Sequence, residues 1–306
     1  MHRKQQTLSI ASALLVALSG SFVPIAIQDS SQPYRGVSGL SISTLPMAKE
    51  APPYLRDFST PLTLEAASAL AIDITAHRRL YEKSPTEKRA TASLAKLMTA
   101  IVVESIADLA SVVQVLQEDL NGVPTPVMGL VVGEKISIES LMRGMLVESA
   151  NDAASVLART TAGSQERFVE LMNLMAGAMG LRDTVFKNPT GLDEEGEFST
   201  ADDLSLLAEE SLRYEKISKI VRLKSDTVTS SDGTIIHYLR NSNRLLEDPR
   251  VEGMKTGFTD QARGNLILLI AGPPGHLLLT VVLGSENREA ESEKLMKWIL
   301  DSYEFD

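Results

Sequence analysis

A serine and a lysine three residues apart open a helix-forming stretch that could support nucleophilic catalysis. Residues 92–100 read Ala-Ser-Leu-Ala-Lys-Leu-Met-Thr-Ala, so the pair is Ser93 and Lys96. Residues three apart lie on the same face of a helix, which lets the hydroxyl and the amine meet. A neutral lysine beside a serine can activate that serine as a nucleophile. About one Ser-x-x-Lys is expected by chance in a chain of this length, so the pair needs support from other residues.

Ser93 has a second interpretation, because a helix over residues 94–104 is predicted to begin beside it. Serine is among the preferred N-cap residues, and a cap needs no catalytic partner. Free backbone N–H groups at the same helix end could also hold an oxyanion. A cap and a nucleophile are compatible roles, so this stretch alone leaves both open.

Two further short motifs follow in the chain. Residues 149–151 read Ser-Ala-Asn, and residues 255–257 read Lys-Thr-Gly. Taken alone, the first is typical of a helix cap and the second of an exposed strand end. Ser-x-x-Lys, Ser-x-Asn and Lys-Thr-Gly in this order are, however, close to the set found in penicillin-interacting serine enzymes. Residues 285–287 also fit Ser-x-Asn, but they follow Lys-Thr-Gly and are in the wrong order.

The pattern of apolar residues predicts strands, then helices, then strands again. The predicted strands lie at 67–73, 80–83, 221–223, 235–238, 251–257, 266–271 and 277–283. The predicted helices lie at 94–104, 138–145, 151–160, 165–179, from Thr200 to about 212, and 289–301. Thr200 and Asp203 are predicted to form a capping box, and Trp298 and Leu300 are predicted to face inward. This order predicts an α/β (α+β) fold with one antiparallel sheet and a helical subdomain at about 108–212.

Composition excludes several classes of function. The chain has 306 residues, is 43% hydrophobic and carries a formal net charge of -10, which disfavours nucleic acid as a partner. It has no cysteine, so disulfides, thiol catalysis and cysteine-ligated zinc are excluded. Its four histidines are scattered and outside any His-Glu-x-x-His arrangement, so we predict no metal site.

The amino terminus has the pattern of an export signal. A basic head, residues 2–4, precedes residues 8–27, which contain no charged side chain and are long enough to cross a bilayer. We predict a signal anchor or a cleaved signal peptide over 1–28, an irregular linker over 29–62 and one catalytic domain over 63–306. Because the chain ends directly after the last predicted helix, membrane attachment is expected to fall to the amino-terminal segment.

Four longer stretches extend the three motifs. They are 188–192 (Asn-Pro-Thr-Gly-Leu), 198–204 (Phe-Ser-Thr-Ala-Asp-Asp-Leu), 253–259 (Gly-Met-Lys-Thr-Gly-Phe-Thr) and 283–288 (Leu-Gly-Ser-Glu-Asn-Arg). With these, residues 64–298 resemble the serine D-alanyl-D-alanine carboxypeptidases of the low-molecular-mass penicillin-binding protein family. The resemblance implies a five-stranded antiparallel sheet flanked by helices, in a β-lactamase/DD-peptidase-like fold, and no cofactor.

The resemblance also implies roles for residues of the three motifs. Ser93 corresponds to the nucleophile, Lys96 to its general base, Ser149 to a proton relay and Asn151 to a donor to the substrate backbone. To act as a base near neutrality, Lys96 must have a pKa about three below its usual value. Burial and a nearby positive charge would both lower it.

The third motif is expected to bind the end of the substrate. Lys255 and Thr256 correspond to the groups that hold a terminal carboxylate, and Gly257 completes the motif. The N–H groups of Ser93 and Phe258 correspond to the oxyanion hole. We expect Lys255 to stay charged because its task is to meet a carboxylate.

The resemblance, together with the amino-terminal segment, implies an exported DD-carboxypeptidase that trims peptidoglycan stem peptides ending in D-Ala-D-Ala and is inhibited by β-lactams. A DD-endopeptidase acting on cross-links would use the same residues. A β-lactamase would need a group that activates a deacylating water, for which Glu194, Glu195 and Glu197 are the nearby candidates in sequence. A non-catalytic wall-binding protein with the same fold is a further alternative, which the intact motifs disfavour.

Overall fold

The computed structural model describes residues 52–57 and 59–305. The predicted signal segment over 1–28 lies outside this part of the chain, as does most of the predicted linker. Among the residues that are described, none of the helices is both long enough and apolar enough to span a membrane.

The secondary structure of this part alternates as the sequence predicts, with one exception. Residues 221–223, which are predicted as a strand, form a turn after a short helix, and the strand begins only at Ser225. The strands are β1 Tyr54–Leu55, β2 Ser68–Asp73, β3 Arg78–Lys83, β4 Val112–Gln114, β5 Lys135–Ser137, β6 Ser225–Thr229, β7 Ile236–Arg240, β8 Val251–Thr259, β9 Arg263–Ala271, β10 Leu277–Ser285 and β11 Tyr303–Glu304. The α-helices are α1 Lys96–Ile106, α2 Gln117–Leu120, α3 Ile138–Arg143, α4 Asn151–Ala162, α5 Gln165–Met179, α6 Ala201–Ser211, α7 Glu215–Ile220 and α8 Arg288–Ser302.

Within the described residues, five strands form one antiparallel sheet in the order β3-β2-β10-β9-β8. The central strands β9 and β10 are almost continuously apolar because helices cover both of their faces. α8 packs on one face, and α6 packs against β10 and β2 on the other. The predicted mixed fold with a five-stranded antiparallel sheet is confirmed, and β8 forms one edge of this sheet.

The predicted helix over 138–145 is too long. α3 ends at Arg143, and a π-helical turn over Gly144–Glu148 follows it. That turn ends at Ser149, whose φ of 67° lies in the left-handed region that is unfavourable for a residue with a side chain. The interruption therefore sets the backbone of the Ser-Ala-Asn motif, and such π turns often occur at functional sites.

The predicted capping box at the start of α6 is half correct. The Thr200 hydroxyl accepts a hydrogen bond from the Asp203 N–H at 3.1 Å, as an N-cap should. The Asp203 carboxylate does not return to Thr200; it accepts from the Asp183 N–H at 2.8 Å and the Thr184 hydroxyl at 2.7 Å. Tertiary donors satisfy Asp203, so the reciprocal bond is absent.

The C-terminal helix α8 turns a different face inward than predicted. Leu295, Met296 and Ile299 are buried in the core, whereas Trp298 and Leu300 are only partly buried at its edge. Trp298 Nε1 donates to the carbonyl of Thr60 at 2.6 Å. The end of the predicted linker also forms the short strand β1, which pairs with β11.

Candidate active site

Ser93 lies in a short 3₁₀ turn, Ala92–Ala95, that leads directly into α1. Neither this turn nor α1 has a side-chain cap, so the interpretation of Ser93 as a helix cap is wrong. Ala92, directly before the serine, has a φ of 49°, which is strained for a residue with a Cβ. The turn places Ser93 Oγ 2.8 Å from Lys96 Nζ, as the three-residue spacing predicts.

Lys96 is completely buried, and its amine has three neighbours within hydrogen-bond distance. Besides Ser93 Oγ, these are Asn151 Oδ1 and the carbonyl oxygen of Thr190, both at 2.7 Å. The pKa of Lys96 lies well below its usual value, first because burial disfavours the charged form and second because Lys255 repels it. Both predicted causes are present.

The neighbours of Lys96 also fix where its protons point when the amine is neutral. A neutral amine has two N–H donors and one lone pair. Asn151 Oδ1 and the Thr190 carbonyl can only accept hydrogen bonds, so they take the two N–H groups. The lone pair then faces Ser93 Oγ, which carries a proton. This arrangement can withdraw the serine proton as Oγ attacks a carbonyl carbon.

The Ser-Ala-Asn motif binds both lysines of the site. Ser149 Oγ lies 2.8 Å from Lys255 Nζ, and Asn151, the first residue of α4, meets Lys96. One N–H of the Asn151 side-chain amide donates to the carbonyl of Pro124 at 2.9 Å. The second N–H of the same side-chain amide could donate a hydrogen bond to the carbonyl oxygen of a substrate amide. The predicted relay role of Ser149 stays a prediction.

Lys255 and Thr256 lie on β8 and are buried, which excludes the interpretation of their motif as an exposed strand end. Lys255 Nζ donates to the Thr256 carbonyl at 3.1 Å, and Thr256 Oγ1 lies 2.6 Å from Ser242 Oγ. Burial and the charge of Arg288 lower the pKa of Lys255 to about 7. Lys255 therefore loses its proton more readily than an ordinary lysine, and the expectation that it is charged when it meets a carboxylate stays a prediction. A substrate carboxylate beside it would favour the charged form.

Gly257 lets β8 approach the turn that contains Ser93. A Cβ on Gly257 would lie 2.9 Å from the Ala92 Cβ and 3.1 Å from the Ser93 nitrogen. These distances are too short for an alanine without a shift of the strand or the turn. The next residue, Phe258, is 60% exposed. The predicted oxyanion hole, formed by the N–H groups of Ser93 and Phe258, stays a prediction.

Several residues that support the site were absent from the predicted set. Asn265 is fully buried, and its Nδ2 donates to the carbonyls of Ala90 and Thr91 just before the Ser93 turn. Arg288 donates to the Gly257 carbonyl at 2.7 Å. A sequence signal existed only for Arg288, which ends one of the stretches that extend the motifs; the contacts of Asn265 depend on the tertiary fold.

The chain is similar to known proteins over most of its described length. A family model described as D-alanyl-D-alanine carboxypeptidase (Peptidase_S11) matches residues 56–287. The chain is 32% identical over 256 residues to D-alanyl-D-alanine carboxypeptidase DacF of Bacillus subtilis, which covers 80% of this chain and 65% of that protein. It is 29% identical to a D-alanyl-D-alanine endopeptidase of Pseudomonas aeruginosa, with 85% of each chain covered.

Solved structures match the fold as well. The crystal structure of the Streptomyces K15 DD-transpeptidase superposes with a TM-score of 0.73 at 26% identity, covering 79% of this chain and 99% of that one. The carboxypeptidase DacD from Francisella tularensis gives a TM-score of 0.70 at 27% identity, covering 80% of this chain and 73% of that one. The chain spans 65% of the length of the Bacillus relative and 60% of Escherichia coli DacA.

Proposed function

Because the chain belongs to the D-alanyl-D-alanine carboxypeptidase family, we propose that it is a serine DD-carboxypeptidase acting on peptidoglycan stem peptides that end in D-Ala-D-Ala. The family match over residues 56–287 confirms the resemblance seen in the sequence. The activity, the substrate and the residue roles below are the proposal. The observation that supports it most directly is the contact of 2.8 Å between Ser93 Oγ and the buried amine of Lys96.

The proposed reaction proceeds through an acyl-enzyme. Ser93 Oγ attacks the carbonyl carbon of the penultimate D-alanine while its proton passes to the neutral amine of Lys96. The C–N bond to the terminal D-alanine then breaks, and the leaving amine takes that proton. A water molecule hydrolyses the Ser93 ester, releases the shortened peptide and returns the proton to Oγ.

The proposed selection for a terminal residue comes from Lys255, with Thr256 and Ser149 beside it. Each of these side chains can donate a hydrogen bond, and Lys255 can add a positive charge. A buried cation without a carboxylate partner favours a substrate that brings one. The carboxylate of a terminal D-alanine meets that requirement, whereas an amide in the middle of a chain does not.

Penicillin labelling tests the proposal. Incubation followed by intact-mass measurement and peptide mapping should give one adduct, on Ser93, that is absent in Ser93→Ala. Ser231→Ala, which removes an exposed turn serine, is the matched control and should still be labelled. Labelling at another residue would contradict the assignment of Ser93 as the nucleophile. Absence of labelling would contradict it as well and would favour a non-catalytic wall-binding protein. Rapid turnover of penicillin instead of a lasting adduct would favour the β-lactamase alternative.

A DD-endopeptidase is the second candidate, favoured by the likeness to the Pseudomonas aeruginosa endopeptidase over 85% of both chains. The same residues would form the same acyl-enzyme, and only the leaving amine would differ. Release of D-alanine from a pentapeptide, compared with cleavage of a cross-linked dimer, separates the two activities. Cleavage of the cross-linked dimer that is faster than release of D-alanine from the pentapeptide would show that the protein is a DD-endopeptidase rather than a DD-carboxypeptidase.

We further propose that the protein acts outside the cytoplasm, where peptidoglycan is found, and that residues 8–27 direct its export. The basic head and the uncharged segment support this proposal from the sequence alone. Cell fractionation with amino-terminal mass analysis tests it. A full-length chain in the membrane fraction favours an anchor, a shortened chain favours a cleaved signal, and a full-length cytoplasmic chain contradicts both.

A further inference from the structure

Glu197 lies buried behind the turn that contains Ser93. Its Oε1 accepts a hydrogen bond from the Thr91 hydroxyl at 2.7 Å. Thr91 immediately precedes that turn, and its carbonyl accepts the bond from the Leu94 N–H at 3.3 Å. The Glu197 carboxyl group thus contacts the chain two residues before Ser93.

The other oxygen of Glu197 contacts the loop on the far side of Lys96. Oε2 accepts from the Lys187 N–H and from Asn188 Nδ2, both at 3.3 Å. Asn188 Oδ1 in turn accepts from the N–H groups of Thr190 at 3.1 Å and Gly191 at 2.8 Å. That loop presents the Thr190 carbonyl to Lys96 Nζ.

We propose that Glu197 is a positioning residue for acylation, because its carboxyl group joins the turn that contains Ser93 to the loop whose Thr190 carbonyl orients Lys96. This inference rests on the proposed function, since it concerns the same acylation site. Glu197 acts through Thr91 and Asn188 rather than by contact with substrate. Each of the three motifs lies elsewhere in the chain, so none of them identifies this residue.

The charge of Glu197 gives this role a signature that packing alone would not have. Burial raises the pKa of Glu197 to about 7, and the charge of Glu194 on the same loop adds to that increase. A negative Glu197 in turn raises the pKa of Lys96 and opposes the effect of Lys255. Ionisation of Glu197 therefore affects both the geometry of the site and the protonation of its base.

Besides Glu194, Lys187 and Arg89 are charged residues close to Glu197 in the described part of the chain. The ammonium group of Lys187 lies beside Gly196, on the outer side of the loop. Arg89 pairs its backbone with Ser199, but its guanidinium binds Glu87 at 3.0 Å. Lys96 is thus the catalytic group most directly affected by a change of charge at Glu197.

The test is the rate of Ser93 acylation by a fluorescent penicillin, measured across the neutral pH range in the full-length protein. Glu197→Gln keeps the shape of the side chain and the oxygen that accepts from the Thr91 hydroxyl. Its N–H₂ group, however, replaces the oxygen that accepts from Lys187 and Asn188, so these two hydrogen bonds are lost. We expect the maximal rate to fall about tenfold, the effect of one charged hydrogen bond. We also expect the acidic limb of the rate profile to move to lower pH, because loss of the negative charge lowers the pKa of Lys96. Glu195→Gln, an exposed change in the same turn, should leave both unchanged.

Thr91→Val provides the second variant should Glu197→Gln fold poorly. Loss of the Thr91 hydroxyl weakens the same connection and removes a hydrogen bond that lowers the pKa of Glu197. The rate should fall and the acidic limb should move in the same direction as in Glu197→Gln. Folded variants with a wild-type rate and an unmoved limb would overturn the inference while leaving the proposed function intact. Absence of Ser93 labelling in the wild type would overturn both.

Discussion

Burial lowers the pKa of Lys96, and the positive charge of Lys255 lowers it further, although the two buried lysines bind different partners. Lys255 Nζ meets Ser149 Oγ, and Lys96 Nζ meets Asn151 Oδ1 two residues further on. One short segment therefore holds two amines whose proposed tasks require opposite protonation states. Lys96 must be neutral to accept a proton, and Lys255 must be charged to bind a carboxylate.

The first prediction is a bell-shaped dependence of kcat/KM on pH. The rate should rise as Lys96 loses its proton and fall as Lys255, whose pKa is about 7 in the free protein, loses its own. Arg288→Gln removes the charge that lowers the pKa of Lys255, so the alkaline limb should move to higher pH. Arg288→Lys keeps the charge and should leave that limb nearer its original position. An alkaline limb unmoved in Arg288→Gln would show that Lys255 does not set it.

The second prediction concerns stability. Lys255→Met should abolish carboxypeptidase activity yet increase the free energy of unfolding by on the order of 2 kcal/mol at neutral pH, because it removes a buried cation that has no carboxylate partner among the described residues. At and below about pH 7 the charged lysine destabilises the folded state in full. Between about 7 and 10.5 the folded protein has lost this proton while the unfolded chain keeps it, so the penalty declines as pH rises.

Urea unfolding at several pH values checks this. The gain in Lys255→Met should shrink as the pH approaches 10.5. Lys224→Met, at an exposed lysine, is the control and should show no such pH-dependent gain. A loss of stability at neutral pH, or a gain that does not vary with pH, contradicts the argument.

The third prediction concerns the contact between β8 and the Ser93 turn. Gly257→Ala should slow acylation at least about tenfold, because the added Cβ would push β8 away from Ala92 and Ser93. Gly177→Ala, in the last turn of α5, adds a Cβ that meets no atom outside its own stretch of helix within 4 Å, so activity should be unchanged. Stopped-flow acylation of both variants is the measurement. Equal acylation rates in the two variants would mean that acylation does not depend on the close approach of Gly257 to the Ser93 turn.

The fourth prediction concerns Asp152, the residue after the Ser-Ala-Asn motif. Its buried carboxylate accepts the N–H groups of Met128 and Gly129, both at 3.0 Å, and of Leu130 at 3.1 Å. Asp152→Ala should lower the free energy of unfolding by about 2 kcal/mol, since it leaves these donors without a partner. Glu118→Gln, at an exposed carboxylate, should change it little. Thermal unfolding of the two variants is the measurement. Equal midpoint temperatures would show that the Asp152 carboxylate does not stabilise the fold through these hydrogen bonds.

Local signals in the sequence predict the long helices and the central strands of the sheet, but not the strand at 225–229 or the short elements between them. The predicted helix over 165–179 matches α5 to the residue; Gly180 takes the left-handed conformation at its end, and the structure shows that Ser164 caps its start. The strands of the β9–β10 hairpin were also recognised, since their apolar runs are bounded by a turn rich in glycine and proline. In each case the deciding interactions lie within a few residues of one another.

The parts that escaped prediction depend on residues distant in the chain. The π-helical turn before Ser149 adjoins Met128, whose sulfur would lie 2.3 Å from a Cβ on Gly144. Thr190 meets Lys96 through a backbone carbonyl, for which the residue type gives no signal. The lowered pKa of Lys255 depends first on its burial and second on the charge of Arg288, both of which arise only in the folded protein.

The position of Gly257 against the Ser93 turn has a consequence for folding. The groups that react lie in the Ser93 turn and at the start of α1, but Gly257 of β8 and Asn265, more than 160 residues further along, must reach this turn before it is complete. Contacts of such sequence separation are expected to form only once most of the chain is ordered. Covalent labelling of Ser93 would therefore count fully folded molecules, and a refolding reaction could be followed by the recovery of labelling alone.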